Sequence, residues 1–180
     1  CLAVGDISGQ DVAWHVRKGQ IASGFIELNA PYPVIADRMC ENGWFGRKSG
    51  RGWYLYENGE RLPNPDTNAL IEQTSKDLGI KRRNISADEI RVRCLYALIN
   101  EGARLLGMGM ASSAADIDLI WRFGFGFPEA KIGPMHTASE VGLKNVLTIL
   151  QRLHADHGWM FEPAPLITGY VKEGKKSFFS

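Results

Sequence analysis

The sequence predicts an all-α fold: a helical bundle preceded by a short helical arm and a Gly-rich linker. Three observations predict it. Apolar residues recur at helical spacing along most of the chain, and alternating β-branched runs are nearly absent. Ser86 and Ser113 each stand just before an apolar periodic run, where an N-cap belongs. Glycines gather in one stretch, residues 43–66, and several others, Gly79, Gly107 and Gly158, stand where expected helices stop.

Taken in order, residues 6–18 read as a short helix with apolar Val12, Trp14 and Val16, closed by Arg17 and Lys18 at the negative end of its dipole. A second helix opens at Pro33, whose fixed φ suits a first turn, and ends near Gly43. Gly43, Gly46, Gly50, Gly52 and Gly59, followed by Pro63 and Pro65, mark a linker or an ordered crossing loop. Asp66 is placed to cap a helix carrying Leu70, Ile71 and Leu78, with Gly79 as its stop. Ser86 and Glu89 form a capping box ahead of the most apolar helix. One stripe there runs through Ile90, Cys94, Ala97, Leu98 and Leu105, broadened by Val92, Leu95, Ile99 and Leu106. Apolar over so much of its circumference, this helix belongs at the centre of the bundle. Ser113 caps the next helix, with Ile117, Ile120 and Trp121 facing inward until Phe123–Pro128 interrupts it. Residues 139–154 read as one long amphipathic helix closed by Gly158, and Pro163 and Pro165 open the last. The expected organisation is an arm over 1–42, the linker over 43–66 and the bundle over 67–180. At roughly 115 residues, such a bundle buries an ordinary core without metals or disulfides.

Composition narrows the function. The 180 residues carry 21 basic and 20 acidic side chains, a net charge of +1, where a dedicated nucleic-acid binder would show a basic surplus. No apolar run approaches the ~20 residues that cross a bilayer. Cys1, Cys40 and Cys94 are odd in number and widely spaced, so reduced thiols in the cytoplasm are expected rather than a zinc ribbon or disulfide frame. The opening at Cys1, without a signal-peptide pattern, gives the expectation of a piece of a longer polypeptide, and the last residues, Lys176–Ser180, are not a Ser-Lys-Leu address.

No complete catalytic constellation is visible. Neither a dinucleotide G-x-G-x-x-G nor a Walker spacing occurs. Gly46–Gly52 is glycine-rich and basic: it reads either as a solvated turn, the favoured reading, or as a phosphate contact through Arg47, Lys48 and Arg51. Asn100 and Glu101 lie mid-helix in apolar surroundings. They either line a cleft or interface or, the slightly favoured reading, tie the helix to a neighbouring backbone, with Arg104 as the local partner of Glu101. Asp116 and Asp118, two apart, fall on different helix faces and form no paired-carboxylate site. His154 and His157 lack further metal ligands, and helix-end cations suffice to explain them. Phe123 to Phe127 either shape an acyl channel or interdomain contact, through Phe125 and Phe127, or plug a helix break. A faint repeat sets Gly9 against Gly142 and Trp14 against Leu147.

Together these residues carry a resemblance. Asn100–Leu106, Asp116-Ile117-Asp118, Gly124–Pro128, Gly133-Pro134-Met135 and Gly142-Leu143 occur in the order and spacing of the C-terminal helical domain of 3-hydroxyacyl-CoA dehydrogenases. The chain most resembles the second copy of that domain in multifunctional fatty-acid β-oxidation enzymes. Gly43–Tyr54 is similar to the linker between copies, and Leu2–Arg17 to the tail of the first. Where the family's second copy usually has Asp before a Val-Gly-Leu turn, this chain has Ser139-Glu140.

The resemblance implies a fold like the C-terminal domain of 6-phosphogluconate dehydrogenase, and makes the faint repeat an expectation. It implies a parent enzyme that oxidises the 3-hydroxyl of an acyl-CoA and passes hydride to NAD, fused to an enoyl-CoA hydratase. The NAD loop and the His–Glu pair would lie before Cys1, so no catalytic, cofactor or metal residue is expected here and the piece alone is expected to be inactive. Its expected role is to cover the missing NAD-binding and first helical domains and hold the substrate cleft in shape. Substrate or interface candidates are Arg47, Lys48, Arg51, Asn100, Glu101, Phe125 and Phe127. Separated from those domains, the piece is expected to uncover an apolar patch, which either residues 1–42 cover in part or a second copy covers by self-association. The alternative is a non-catalytic helical module that binds acyl-CoA or a protein partner.

Overall fold

The computed structural model describes residues 2–24 and 32–179; Cys1, residues 25–31 of the expected arm and Ser180 lie outside the described residues. Among the described residues the fold is all-α apart from one hairpin, and the chain divides into two compact units, Cys1–Arg83 and Asn84–Ser180. The compact division thus falls 17 residues after the expected start of the bundle.

The first unit contains helices α1 (Leu2–Ser8), α2 (Gln10–Ala22) and α3 (Val34–Glu41), a 3₁₀ turn over Arg47–Ser49, strands β1 (Tyr54–Glu57) and β2 (Glu60–Pro63), and helix α4 (Pro65–Asp77). The expected helix over 6–18 is two helices, because Gly9 between them sits at φ 94°, a conformation that ends one helix and restarts the chain at an angle. Its N–H still closes on Gly5 O, and the N–H of Gln10 turns aside to Phe45 O. The loop read as a linker is ordered and holds an antiparallel hairpin, with Tyr54 opposite Pro63 and Tyr56 opposite Arg61. Its turn is Asn58-Gly59, both at positive φ (50° and 84°), the combination a tight two-residue turn requires. Asn64, rather than Asp66, caps α4: its Oδ1 accepts from the N–H of Asp66 and Thr67. Helix α4 packs on α3, where Arg38 donates to Thr74 Oγ1 and pairs with Asp77, and that contact puts α4 in the first unit. Buried apolar side chains here are few, Ala36, Met39 and Cys40 among the described residues, so polar contacts around Asp6 share the work of holding the unit together.

The second unit contains α5 (Ala87–Gly107), α6 (Ala114–Phe125), a 3₁₀ turn over Glu129–Lys131, α7 (Pro134–Val141), α8 (Leu143–His157), a 3₁₀ turn over Trp159–Phe161, and α9 (Pro165–Lys172). Ser86 and Ser113 cap as the sequence predicts, accepting from the N–H of Glu89 and Asp116. Helix α5 packs against α6, α7, α8 and α9, the central place its composition demands. Its inward face runs through Val92, Tyr96, Ile99 and Ala103, so the predicted stripe is rotated: Ile90 and Cys94 face outward. Ile120 of α6 also faces outward, while Ile117 is buried. The expected helix over 139–154 is again two, α7 and α8, broken at Gly142 with φ 85° and ψ 131°, nearly the values at Gly9 (94° and 125°). Ile99, Met135, Leu143, Val146, Leu150 and Ile167 are fully enclosed, and burying side chains of this size contributes ~1.5–3 kcal/mol each. Among the described residues, no helix is long and apolar enough to cross a membrane.

Candidate functional site

Three buried polar side chains fix the loops that give the molecule its surface. Asp6, at the end of α1, is fully buried. Its Oδ1 accepts from the N–H of Trp53 at 3.0 Å and from Gln10 Nε2 at 3.2 Å; its Oδ2 accepts from the N–H of Tyr54 at 3.0 Å and from the Tyr56 hydroxyl at 3.1 Å. Burial pushes the Tyr56 hydroxyl pKa up, and the negative charge of Asp6 pushes it further. The loop closes over this carboxylate only because Gly46 and Gly52 lack side chains. A Cβ on Gly46 would stand 2.3 Å from Asp6 O, and one on Gly52 2.2 Å from Asp6 Oδ1.

Asp118, buried on α6, does the same for α7. Its oxygens accept from the N–H of Met135 at 2.7 Å and His136 at 2.8 Å, which supplies the first turn of α7 with acceptors and places negative charge at the positive end of its dipole. Burial raises its pKa, and the two N–H bonds pull it back in part. Its neighbour Asp116 stays exposed at the start of α6, bonded to the Ser113 hydroxyl, so the two carboxylates do separate work as their spacing predicts.

The third anchor is Asn100, whose Nδ2 donates to Glu162 O at 2.8 Å and whose Oδ1 accepts from the N–H of Ala164 at 2.8 Å. Both ends of the amide tie α5 to the segment entering α9, which matches the backbone-tying reading of this residue. Glu101 is exposed, 3.7 Å from Arg104, so it takes no part in that tie.

Of the basic loop, Lys48 pairs with Asp11 at 2.6 Å and Arg51 pairs with Asp66 while lying 4.4 Å over the Trp44 ring. Arg47 is exposed and has no carboxylate partner among the described residues. The structure therefore does not gather the three cations around one point. Phe125 is exposed, with its ring 4.8 Å from that of Trp121, and Phe127 is half-buried beyond the left-handed Gly126 that ends α6. Outward from α6 stand Leu119, Ile120, Phe123 and Phe125, the last two 77% and 69% exposed, so this helix is apolar on its solvent side as well as its core side.

Sequence reasoning did not assign roles to Asp6, Gly133 or Ser139. The signal for Ser139 lay in the Gly9–Gly142 repeat. Ser139 stands three residues before Gly142, as Asp6 does before Gly9, and its hydroxyl accepts from the N–H of Phe178 at 3.1 Å. The N–H after each glycine also finds a distant carbonyl, Gln10 to Phe45 and Leu143 to Lys176. The exposed Glu140 instead faces His136 at 3.8 Å, so the hydroxyl of Ser139 makes the closing contact.

A helix–glycine–helix unit closed by a returning segment thus occurs twice in this all-α chain, with different sequences. The chain matches the family described as 3-hydroxyacyl-CoA dehydrogenase, C-terminal domain, over residues 1–56 and 90–177, and it belongs to that family. It is 44% identical to the peroxisomal bifunctional enzyme of Cavia porcellus over 84% of its own length and 22% of that protein's. It is 35% identical to the fatty acid oxidation complex subunit alpha of a Shewanella species, over 82% of this chain and 21% of that one. Its fold is that of a region in the dehydrogenase part of multifunctional enzyme 1 from C. elegans, with a TM-score of 0.66, 22% identity, and coverage of 94% of this chain and 38% of that one. The chain thus spans about a fifth of the length of these curated relatives.

Proposed function

We propose that this chain is the C-terminal helical part of an NAD-dependent 3-hydroxyacyl-CoA dehydrogenase of fatty-acid β-oxidation, fused to an enoyl-CoA hydratase, and that it supports the reaction without carrying it out. In this reading residues 1–42 end the first helical copy, 43–66 link the copies and 67–180 form the second. The acyl-CoA and NAD are held by the rest of the parent, whose NAD-binding and first helical domains are this chain's partners. The observation that carries the reading is the solvent-facing apolar side of α6, joined to a core already complete beneath it. A helix apolar on both sides is built to be covered twice. Phe125 belongs to that face and Phe127 follows just beyond the end of α6; Glu101, exposed on α5, is a further candidate for the interface. Freed from its partners, the same face pairs with a second copy of the chain. The compartment we propose is the cytoplasm; the guinea-pig relative bears a peroxisomal name.

The test compares the chain alone with the chain joined to its upstream dehydrogenase region. Alone it turns over no 3-hydroxyacyl-CoA. In the joined protein, Phe123→Glu lowers kcat/KM roughly tenfold, as misplacing reacting groups does. Turnover by the chain alone, or a joined F123E enzyme with unchanged kinetics, overturns the reading. Light scattering that shows a concentration-independent monomer counts against self-association.

A further inference from the structure

We propose that the first unit carries a binding site for an organic phosphate: a phosphomonoester dianion attached to an apolar body, held between Arg47 and Arg61 over Tyr56. This inference stands independently of the reading above.

A cleft of about 330 Å³ is lined by Ala3, Ile7, Arg47, Tyr56, Gly59 and Arg61. Its two arginines arrive from different elements and both are positioned. Arg47 sits on the 3₁₀ turn whose neighbours Gly46 and Gly52 are pinned against Asp6, and Ser49 Oγ braces the same turn by donating to Gly46 O and accepting from Phe45 N–H. Arg61 is fixed by the hairpin register opposite Tyr56, with its guanidinium 4.9 Å over the Tyr54 ring. Successive strand residues face opposite ways, so Tyr54, Tyr56 and Arg61 share one face of the hairpin, whereas Glu57 and Glu60 share the other. The nearest acids in sequence therefore point away from the cleft.

Among the described residues neither guanidinium has a carboxylate partner, while Lys48 and Arg51 beside them both do. Two like charges at one cleft repel each other unless an anion joins them. The buried Asp6 offsets one of them at most, and its oxygens are already engaged with Trp53, Tyr54, Tyr56 and Gln10. The cleft keeps a net positive charge and two planar forks, the arrangement that suits a phosphate oxygen set. A phosphomonoester carries about −1.5 to −2 charge at neutral pH, which matches two arginines better than a carboxylate would. Beside the cations, Ala3 and the 67% exposed Ile7 form an apolar wall, so the phosphate's substituent is apolar on the side that meets α1.

Calorimetric titration of the 180-residue chain with phenyl phosphate and with inorganic phosphate tests the site. Saturable binding of phenyl phosphate is expected, tighter than that of inorganic phosphate and weakened by salt. Arg47→Gln and Arg61→Gln should each weaken it roughly tenfold, as loss of a charge-assisted pair does. Lys131→Gln in the second unit, which removes the same charge elsewhere, should leave it unchanged. Should either glutamine variant fail to fold, Arg47→Lys and Arg61→Lys keep the charge, lose the fork, and should still weaken binding. Absence of saturable binding, equal weakening by Lys131→Gln, insensitivity to the arginine variants, or equal affinity for the two probes overturns the proposal.

Discussion

A carboxyl oxygen of Asp118 stands 2.2 Å from the place where a side chain on Gly133 would begin. The backbone of Gly133 is extended, at φ −174°, so any residue could adopt its conformation. The carboxylate excludes a side chain there, and the glycine is what lets Asp118 reach the first turn of α7. Gly133→Ala therefore pushes Asp118 off Met135 and His136. The expected cost is about 1–3 kcal/mol of overpacking, plus the lost bonds, read as a fall in the urea midpoint at constant slope. An unchanged midpoint would show that the contact is relieved at no cost.

Asp118 also gives the second unit a pH dependence of definite sign. Burial holds its pKa above its ordinary 3.8, so the folded chain keeps this proton more tightly than the unfolded chain. The contribution is complete below 3.8 and is lost as the pH rises through the folded value. The half-buried Asp11 and the exposed Asp77, with pKa values lowered by Lys48 and Arg38, slope the other way. Relative to Asp118→Asn, the parent chain should thus lose stability with rising pH just above 3.8. At neutral pH, D118N should itself cost about 1–3 kcal/mol, since Met135 and His136 donate to different oxygens and the amide sets an NH2 group, itself a donor, against one of them. Parallel stability–pH curves for the two proteins would refute the assignment.

In the first unit, Asp6→Asn removes the charge beside Tyr56. The Tyr56 hydroxyl should then titrate closer to its ordinary value of 10.0 while staying above it, because burial, the larger cause, remains. Ultraviolet difference titration reads the change directly. A Tyr56 curve that does not move would mean that the carboxylate is not felt by the phenol.

Asn100→Ala leaves the N–H of Ala164 buried without an acceptor and Glu162 O with only its longer bond from Arg104, at 3.3 Å. A loss of about 1–3 kcal/mol is expected. Amide exchange at Ala164 should quicken more than exchange at Leu150, which keeps its packing. Equal protection before and after the substitution would remove the amide from its structural role.

What could be read in the sequence was local, and what could not was formed over distance. Ser86 and Ser113 cap helices because a hydroxyl finds an N–H three residues on, and both are legible without knowing the fold. Asn58-Gly59, between Tyr56 and Arg61, carried a readable hairpin signal; the surrounding glycines masked it as a linker. Gly9 and Gly142 were read through as helix interior, since a single glycine costs a helix only ~1 kcal/mol and nothing nearby shows that its φ is positive. The rotated stripe of α5 had a tertiary cause, with four neighbouring helices choosing the buried face. The candidate residues divide in the same way: the i, i+3 pair of Glu101 and Arg104 was visible, whereas the partners of Lys48 and Arg51, from 15 to 37 residues away, were not.

The hydroxyl of Ser139 has one further consequence. Its counterpart Asp6 clasps its returning segment through two backbone N–H groups and a phenol, all charge-assisted, whereas Ser139 holds Phe178 through one neutral bond. Charge-assisted bonds are about twice as strong as neutral ones. Under heat or tension, the later fastening should therefore slip first, peeling residues 176–179 away while the earlier loop stays shut, and one side-chain identity sets that order of disassembly.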